Sequence, residues 1–495
     1  MIYPTFKDFC EFAQYANVIP VVKEISADLE TPVSSFLKLD KDDYAFLLES
    51  VEGQEKIARY SFLGNNPSII FQSKGPLIEI INRKEKKKRL FRTQTTPLKE
   101  LESFMQEFKP AQIKGLPRFY GGCVGFIGYD VVRFFENIPD KNPDELGFYD
   151  MVFMLADTVL VFDHVKHTIK IVANCLLPPN KPLSVLRKRQ FYKEAIQKID
   201  AVEKAFNKKV AEPLVIGRHP RPIKFNSNFD KSSFCDIVNK AKRYIRCGEI
   251  IQVVISQRFK TKIRQEPFVI YRRLRSLNPS PYMFFLKLKD LTLVGASPEL
   301  LVRCENGVVQ TRPIAGTRRR GINEKEDKTL EDQLLQSVKE KAEHLMLVDL
   351  GRNDIGRVSI PGTVRVNTFM AVERYSHVMH LVSDISGKLA KKFTAFDALT
   401  ACFPAGTVTG SPKVRAMEII DELENVRRGP YAGCVGYVSF SGTLDTCITI
   451  RTIIIKDGNA YVQAGAGIVS DSIPEREYKE TLNKAHALFE ALRQT

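Results

Sequence analysis

The stretch LLVRCENGVVQTR, Leu300–Arg312, consists of two short β-like runs joined by Asn306 and Gly307. An Asn-Gly pair between two such runs is a strong hairpin signal, because both residues tolerate the positive φ of a two-residue turn. A hairpin joins antiparallel strands. The stretch therefore predicts an antiparallel sheet in this part of the chain.

The rest of the chain repeats this pattern between helical segments. The basic run RKEKKKR, Arg83–Arg89, lies between two β-like segments and predicts a second hairpin with a solvated tip. Helical periodicity extends from Leu186 to Phe206, and beyond residue 229 helix-like and strand-like segments alternate without a βαβ rhythm. We therefore expect an α+β fold with large, mainly antiparallel sheets flanked by helices.

A proline-bearing segment divides the chain. The 495 residues are too many for a single core of ordinary size. The best boundary is EPLVIGRHPRPIKFN, Glu212–Asn226, which follows the helical stretch. We predict an N-terminal domain at 1–212, a connector at 213–228 and a second domain at 229–495.

The composition, 44% hydrophobic and 27% charged, is typical of a globular protein. No window approaches the roughly eighteen apolar residues of a membrane span, and the N-terminus lacks the features of a signal peptide. The nine cysteines are scattered singly without a CxxC pair, which argues against a zinc ribbon and a disulfide framework. These observations predict a cytoplasmic protein with reduced thiols and no membrane attachment.

The net charge of +16 admits a nucleic-acid-binding protein as one interpretation. The segment RPIAGTRRRG, Arg312–Gly321, concentrates four arginines beside Gly316 and Thr317. We expect a loop whose NH groups, hydroxyl and charge suit a small carboxylate or phosphate better than a long polyanion. An exposed basic loop is the alternative. A nucleic-acid-binding protein has no support beyond the net charge, because the sequence contains no recognisable RRM, KH or helix-turn-helix pattern.

Two segments resemble each other, YGGCVGF at Tyr120–Phe126 and YAGCVGY at Tyr431–Tyr437. Each is typical of a buried strand whose glycines allow close packing. The first also matches the G-x-C-x-G elbow of glutamine amidotransferases, where a thiol acts as nucleophile. That chemistry needs a histidine with a carboxylate partner, and none of the seven histidines is followed two residues later by a glutamate. We therefore expect no catalytic role for Cys123.

Four glutamates stand on two predicted helices. The segment TLEDQLLQSVKEKAEHLMLVDL, Thr329–Leu350, has the apolar spacing of one amphipathic helix, with Glu340 and Glu343 on the same face. The C-terminal segment predicts another helix with Asp471 or Ser472 as its cap and Pro474 in its first turn. The polar face of that second helix carries Glu477, Glu480 and Lys484.

Two helices with a Glu-x-x-Glu pair each suit a hard divalent cation, and ligands that are all oxygen favour Mg²⁺ over zinc. A solvated helix face is the other interpretation of these glutamates. His377 and His380 have a spacing seen in metal sites, but without cysteine or further histidine nearby we expect a non-metal role. The segment FPAGTVTGSPK, Phe403–Lys413, departs from the Walker spacing and is a candidate anion or substrate loop.

A series of segments, taken in order, resembles the chorismate-utilising enzymes and, within them, the anthranilate synthase component I family. The segments are LLESVEGQEKIARYSFLG (47–64), GEIIQVVISQRF (248–259), NPSPYMFFL (278–286), GASPEL (295–300), RPIAGTRRRG (312–321), KEKAEHLMLVDLGRNDIGRV (339–358), HLVS (380–383), CFPAGTVTGSPKVRAMEII (402–420), GCVGYVSF (433–440), IRT (450–452) and QAGAGIVSDSIPEREYKET (463–481). The resemblance implies the chorismate-binding fold of that family. It also implies Mg²⁺-dependent amination of chorismate and elimination of pyruvate to give anthranilate, the first committed step of tryptophan biosynthesis.

The resemblance implies a role for each site residue. Glu343 and Glu480 resemble the principal Mg²⁺ ligands, and Glu340 and Glu477 complete the acidic shell. Glu299 resembles the general acid that protonates the departing 4-hydroxyl as ammonia adds at ring carbon 2. The remaining implied residues are His380 for the elimination, Thr317 and Thr407 facing the ring, Gln252 and Lys484 in the catalytic set, and Tyr431, Arg451, Gly465, Ala466 and Gly467 at the enolpyruvyl carboxylate.

Two positions separate the family from its relatives. Isochorismate and salicylate synthases resemble each other in having a lysine where Gln252 stands, and aminodeoxychorismate synthases commonly have lysine at the Ala315 position. Neither glutamine nor alanine can act as base or nucleophile, so both point to anthranilate. Aminodeoxychorismate synthase component I remains the near alternative. Arg319 replaces a proline often seen in the family, a change that we expect the segment to tolerate.

The resemblance also implies partners. Because no amidotransferase site can be assembled from these cysteines and histidines, we expect ammonia from a separate glutamine amidotransferase subunit and hence a hetero-oligomer. Tryptophan is the implied feedback inhibitor, at a site distinct from the chemistry that joins the N-terminal part to the chorismate domain. The implied tryptophan-binding residues are Glu49, Ser50, Pro281, Tyr282, Met283 and Phe284.

Overall fold

The computed structural model describes residues 2–40, 42–51, 59–179, 182–209, 223–375 and 378–493. The strands are β1 (Ile2–Tyr3), β2 (Val18–Ser26), β3 (Tyr44–Glu49), β4 (Tyr60–Asn65), β5 (Ile69–Lys74), β6 (Leu77–Asn82), β7 (Lys87–Arg92), β8 (Gly122–Ile127), β9 (Met151–Ala156), β10 (Thr158–Asp163), β11 (Thr168–Leu176), β12 (Asn226–Ser227), β13 (Gln252–Lys262), β14 (Tyr282–Leu288), β15 (Leu291–Ser297), β16 (Leu300–Glu305), β17 (Val308–Thr311), β18 (Ile314–Arg319), β19 (Arg365–Arg374), β20 (Val378–Lys388), β21 (Gly410–Ser411), β22 (Cys434–Ser439), β23 (Leu444–Ile448), β24 (Thr452–Lys456) and β25 (Asn459–Ile468).

Eleven α-helices accompany these strands in the described residues. They are α1 (Phe6–Phe12), α2 (Pro32–Leu39), α3 (Pro97–Gln106), α4 (Val185–Phe206), α5 (Lys231–Arg246), α6 (Pro267–Leu277), α7 (Glu324–Gln336), α8 (Val338–Gly356), α9 (Ala395–Cys402), α10 (Lys413–Leu423) and α11 (Pro474–Leu492). Two short 3₁₀ turns lie at Tyr129–Phe134 and Gly406–Val408. Over the same residues, none of the helices has the length and apolar character that crossing a membrane requires.

The strands form two large antiparallel sheets. The first has thirteen strands in the order β1-β2-β11-β10-β4-β3-β14-β15-β24-β25-β13-β12, with β21 paired to β13. The second has twelve in the order β18-β20-β17-β16-β23-β22-β8-β9-β5-β6-β7, with β19 paired to β20. The predicted α+β fold with antiparallel sheets is therefore confirmed. The hairpin that suggested it is also present, since Asn306 and Gly307 turn at φ of 51° and 73° between β16 and β17.

The largest apolar core fills the space between the two sheets. Phe62 of β4 and Tyr437 of β22 meet across this layer, with their ring centroids 5.7 Å apart. A second core on the other face of the first sheet is covered by α1, α2, α4, α6 and α11. A third lies where α5 and α10 pack against β13 and β25. Helices thus cover the first sheet from outside, while the second sheet closes its inner face.

Each sheet mixes strands from both sides of the predicted connector. In the first sheet β3 pairs with β14, and in the second β8 pairs with β22. Most of the connector at 213–228 lies outside the described residues, which omit 210–222. The division into domains at 1–212 and 229–495 stays a prediction, and the two parts share one core between the sheets.

The two similar segments of the sequence are neighbours in space. Strands β8 and β22 pair in antiparallel register with Gly125 opposite Gly436. A Cβ atom on Gly125 would lie 1.9 Å from the carbonyl oxygen of Val152, so only glycine allows the adjacent strand this close. Cys123 is fully buried in the same strand, and burial raises the pKa of its thiol. The structure therefore gives Cys123 a packing role.

Three local predictions were wrong. The helix expected at Thr329–Leu350 is two helices, because the chain breaks at Ser337, whose hydroxyl caps α8 by accepting from the amide of Glu340 at 3.4 Å. The C-terminal helix has no side-chain cap at its first residue, because Ser472 instead accepts from the amide of Val469 at 3.1 Å. The segment after the hairpin is not a loop, because its backbone pairs with β20 as β18.

Candidate active site

Strand β18 carries the arginine-rich segment into the second sheet, where Thr317 lies opposite His380 of β20. Each of the four arginines forms an ion pair with a carboxylate. The pairs are Arg312–Glu373, Arg318–Glu340, Arg319–Glu326 and Arg320–Asp327. Each positive charge of this segment is therefore matched by a neighbouring carboxylate, which weakens the interpretation of the segment as a polyanion-binding patch.

His380 has a defined orientation on β20. Its Nδ1 lies 2.9 Å from the carbonyl oxygen of Gly316 and 3.1 Å from the hydroxyl oxygen of Thr317. A carbonyl only accepts hydrogen bonds, so Nδ1 carries the hydrogen and the neutral ring keeps its lone pair on Nε2. Burial lowers the pKa of His380, with a further contribution from the charge of Arg451. The side chain is thus a neutral imidazole with Nε2 available as a base.

Glu299 lies between β15 and β16 and is 6% exposed. A backbone hydrogen bond holds this connection between the two strands, because the amide of Ile448 donates to the carbonyl of Glu299 at 3.1 Å. Burial raises the pKa of Glu299 to about 8, although the Thr407 hydroxyl, the Ile314 amide and the charge of Lys484 oppose this shift. The side chain is therefore a protonated carboxyl group at neutral pH, which can donate a proton.

The glycines of β25 allow three polar side chains to converge. A Cβ atom on Gly465 would lie 2.8 Å from the hydroxyl of Tyr431, and one on Gly467 would lie 2.4 Å from Nε2 of Gln252. Gln252 is buried, and its Oε1 has no hydrogen-bond partner among the described residues. Burial raises the pKa of Tyr431 to about 12, so its hydroxyl stays a donor. Ala466 lies between the two glycines on the same strand.

Arg451 and Lys484 meet at the same end of β25. Arg451 turns the chain before β24 with φ of 51°, and its guanidinium donates to the backbone carbonyl of Lys484. The ammonium of Lys484 donates to the carbonyl of Gly465 at 3.1 Å and lies 3.4 Å from a carboxylate oxygen of Glu480. Burial lowers the pKa of both cations. Two partly desolvated cations at one end of this strand form an environment that favours a carboxylate ligand.

The four predicted carboxylates lie on α8 and α11. Burial, with the charge of Glu340, raises the pKa of Glu343, and burial, with the charge of Glu480, raises the pKa of Glu477. Lys484 of α11 acts electrostatically on Glu343 of α8, so the two helices contribute to one acidic region. Lys484 thus relates the two helices electrostatically, and the assembly of the four glutamates into one metal site stays a prediction.

The acidic region suits Mg²⁺ by the chemistry of its donors. All four side chains offer oxygen, and the pKa of Glu343 is raised by burial and, to a smaller extent, by the neighbouring charge of Glu340. Among the described residues, no three His, Cys, Asp or Glu side chains stand close enough to form a closed cluster. Mg²⁺ does not require one, because it usually binds one or two protein carboxylates together with water and substrate. The donor set therefore fits the ion.

A second pocket lies between the sheets and encloses about 490 Å³, including its open mouth. Its lining contains all six residues predicted to bind tryptophan, which are Glu49, Ser50, Pro281, Tyr282, Met283 and Phe284. Glu49 ends β3 and pairs in register with Met283 of β14, so the pocket joins segments from both halves of the chain. The pocket is a concave site that is lined by apolar and charged side chains of both sheets.

The pocket also contains residues that the sequence analysis missed. They are Leu48, Tyr60, Phe62, Arg118, Arg303, Val435, Gly436, Tyr437, Asp445 and Cys447. Buried atoms without a hydrogen-bond partner in the described structure are the Ser50 hydroxyl, Nε of Arg118 and the Tyr437 hydroxyl. In the sequence, Arg118 and Arg303 each appear only as a charged residue beside an apolar β-like run. That pattern does not predict that the two side chains line the same pocket.

The predicted residues thus divide between two places. The catalytic and substrate-binding residues surround β18, β20, β25 and the turn at Gly406–Val408, which contains Thr407. The tryptophan residues line the pocket between the sheets. His377 lies outside the described residues.

The chain is similar to known proteins over nearly its whole length. Residues 44–490 match the family of chorismate binding enzymes. Anthranilate synthase component 1 of Acetivibrio thermocellus is 49% identical over 497 residues, covering 99% of each chain. The same component of Aquifex aeolicus is 49% identical over 477 residues, covering 96% of this chain and 95% of that one.

A solved structure shares the architecture. The crystal structure of anthranilate synthase component I from Streptococcus pneumoniae TIGR4 matches with a TM-score of 0.76 and 37% sequence identity. The match covers 94% of this chain and 99% of that one. Sequence and fold therefore agree along both halves of the chain.

Proposed function

The chain belongs to the chorismate-binding enzyme family as an anthranilate synthase component 1, and we propose that Glu299 and His380 divide its two chemical steps. The observation that carries this assignment is the contrast between their protonation states. Glu299 is a carboxyl group with a pKa of about 8, and His380 is a neutral imidazole with a lowered pKa. Groups whose environments move their pKa values in opposite senses are suited to acid and base roles.

In the first step ammonia forms a bond to ring carbon 2 of chorismate, and the bond between carbon 4 and its hydroxyl breaks. The proton of Glu299 goes to this departing hydroxyl, which leaves as water. The Thr407 hydroxyl near the carboxyl group and Thr317, which lies opposite His380, are the residues assigned to face the ring. A proton donor at this point avoids the expulsion of hydroxide.

In the second step the proton at ring carbon 2 is removed and the bond from the ring to the enolpyruvyl oxygen breaks. Nε2 of His380 accepts the proton, because Nδ1 is engaged with Gly316. Pyruvate leaves, and the ring becomes aromatic. The carbonyl of Gly316 fixes the imidazole orientation as the ring takes up charge.

The enolpyruvyl carboxylate is assigned to the region of Arg451 and Tyr431, beside the amides of Gly465, Ala466 and Gly467. Lys484 supports the same end of β25 through its bond to Gly465. Gln252 keeps an unpaired oxygen next to Gly467, but it has no group that activates water. Amination by ammonia is therefore favoured over hydroxylation by water.

Glu343 and Glu480 are the proposed principal Mg²⁺ ligands, with Glu340 and Glu477 as their supporting carboxylates. Bound Mg²⁺ would supply Lewis acidity at the ring carboxylate of chorismate. The protein groups hold that carboxylate side of the substrate against α8 and α11, away from the acid and the base. Lys484 limits the net negative charge of the region by its approach to Glu480.

The nitrogen source is proposed to be ammonia from a separate glutamine amidotransferase subunit, so that the working enzyme is a hetero-oligomer. All nine cysteines lie in described residues and are free, and Cys123, the one in an elbow-like motif, is fully buried. A buried thiol with a raised pKa is a poor nucleophile. Nine free thiols also suit a cytoplasmic, reducing environment.

Tryptophan is the proposed ligand of the pocket between the sheets. Apolar walls from Pro281, Met283 and Phe284 suit an indole, while Arg118 and Ser50 offer unpaired polar atoms to an amino-acid backbone. The pocket touches β14 and also β23, whose last residue, Ile448, hydrogen-bonds the backbone of Glu299. An inhibitor bound here would act by favouring one arrangement of these strands over another.

The purified chain tests the proposal when it is incubated with chorismate, Mg²⁺ and ammonium at alkaline pH. We expect a product with the fluorescence and mass of anthranilate. Aminodeoxychorismate, isochorismate or salicylate as the main product would contradict the assignment. Glutamine in place of ammonium should give no product with the single chain, and turnover with glutamine would contradict the separate-subunit proposal.

A further inference from the structure

A buried ion pair outside the substrate contacts connects three separate segments of the proposed site. Glu424 follows α10, and Arg428 precedes the segment that leads to Tyr431. Their side chains are 2% and 1% exposed. The guanidinium binds the carboxylate through two nitrogens, with Nε at 3.0 Å from one oxygen and Nη2 at 2.7 Å from the other. The pair is therefore bidentate and almost completely removed from water.

The same guanidinium also binds two backbone carbonyls. Nη1 donates to the carbonyl of Val408 at 2.7 Å, and Nη2 donates to the carbonyl of Val254 at 2.8 Å. Val408 ends the turn that contains Thr407, and Val254 lies two residues after Gln252 on β13. One side chain thus fixes the distance between two segments that the substrate would touch.

The third segment is reached through aromatic rings. The guanidinium carbon lies 5.5 Å from the ring centroid of Tyr431 and 4.9 Å from that of Tyr129. On the other side of the pair, Glu424 accepts from the amide and the hydroxyl of Ser256 at 2.8 and 2.7 Å. Ser256 lies directly opposite Gly465 in the sheet. The pair therefore contacts the segments that carry Tyr431 and Thr407 and the strand that lies beside Gly465.

We propose that Arg428, held by Glu424, is a positioning residue that sets the geometry of the chorismate-binding segments. This rests on the proposed function of those segments. Stability alone does not require such a pair, because well-packed apolar residues often replace a buried ion pair without loss of stability. Two carbonyls and a carboxylate in fixed directions do require a planar group with several N–H donors.

The substitution Arg428→Lys keeps the charge but removes the planar fork. One ammonium cannot reach the carbonyls of Val408 and Val254 and both oxygens of Glu424 in the same geometry. We expect the chorismate KM to rise about tenfold to a hundredfold, because displacements near 1 Å have effects of this order. Both limbs of the pH–rate profile should persist, since Glu299 and His380 lie on other elements.

The matched control is Arg83→Lys. Arg83 also binds a carboxylate, that of Asp42 at 2.9 Å, and also a backbone carbonyl, that of Pro67 at 3.3 Å. It lies 5.1 Å from the ring centroid of Tyr44, so the contact types are the same. These partners belong to the N-terminal part of the chain and to none of the substrate-binding segments. The control should keep the wild-type chorismate KM.

A second variant covers the case in which Arg428→Lys fails to fold. The double substitution Glu424→Leu with Arg428→Met removes both charges and is expected to fold, with a raised chorismate KM. A KM within twofold of wild type in a folded variant would overturn the proposal, as would a lowered thermal midpoint with unchanged KM. If the wild-type chain makes no anthranilate, the proposed function fails separately. In that case chorismate affinity is measured by equilibrium dialysis instead. The positioning role then predicts that the variant binds chorismate about tenfold to a hundredfold more weakly than the wild type.

Discussion

The proposed catalytic site and the pocket between the sheets treat buried charge in opposite ways. In the pocket, Glu49 binds Arg275 at 3.0 Å, and Arg303 binds Asp445 at 2.9 Å. In the catalytic site, neither Glu299 nor His380 has an ion-pair partner among the described residues, and burial moves the pKa of each toward the neutral form. An ion pair holds its two side chains in place, whereas burial of a group without such a partner favours the neutral form, which can exchange protons.

The two regions also differ in the elements that surround them. The pocket is walled by paired strands of both sheets, so a ligand there can influence strand positions without taking part in chemistry. The proposed catalytic groups lie on strands that pack beside helices α8 and α11. The following substitutions test this division, from the largest expected effect to the smallest.

Removing a proposed Mg²⁺ ligand should have the largest effect. We expect Glu480→Ala to lower Mg²⁺-dependent turnover about 10⁴-fold, since metal stabilisation of developing charge is worth several kcal/mol. Steady-state assays across a Mg²⁺ titration measure this, and chelation should produce the same loss in the wild type. The control is Glu475→Ala, an exposed glutamate five residues earlier on α11. Equal rates in Glu480→Ala and the control would exclude Glu480 as a ligand.

Glu299→Gln tests the protonated carboxyl group. The wild-type rate, expressed per concentration of un-ionised ammonia, should be highest below a pH of about 8 and fall above it, because the acid with a pKa of about 8 loses its proton. The variant should be about 10³-fold slower and lack this alkaline fall. Glu305→Gln, at the end of the next strand, is the control. An alkaline limb that survives in Glu299→Gln would assign it to another group.

His380→Asn separates the two steps. We expect elimination of pyruvate to slow about 100-fold while amination slows less, so that an amino-dienyl intermediate accumulates. Chromatography and mass of the products measure the ratio. His486→Asn is the control, because His486 is 70% exposed on α11. Equal loss of both steps without an intermediate would count against His380 as the base.

Ser50→Phe tests the pocket and should leave catalysis nearly intact. Tryptophan should raise the apparent chorismate KM of the wild type about 5-fold to 150-fold, which corresponds to a coupling of about 1 to 3 kcal/mol. A phenyl ring at Ser50 fills the pocket and should abolish this response. The regulatory interpretation fails if tryptophan at millimolar concentration has no effect. It fails equally if Ser50→Phe destroys basal turnover without altering inhibition.

Local patterns predicted much of the fold. The Asn-Gly turn, the basic hairpin and the helix at Leu186–Phe206 all depend on neighbours in sequence, and each is present. One error arose where a tertiary partner decided the outcome, and another where a local side-chain cap overrode the apolar periodicity. β20 made Ile314–Arg319 a strand, and the hydroxyl of Ser337 ended one helix and began another.

The sequence by itself determined the family, the antiparallel class and the residue types of the site, because these follow from motifs and local propensity. Only the tertiary structure decided that β8 lies beside β22 and that Arg118 and Asp445 line the pocket that contains Ser50. It also decided that Glu299 is buried enough for its pKa to reach about 8. These properties depend on side chains far apart in the chain meeting in one low-dielectric core, and no local pattern records such a meeting.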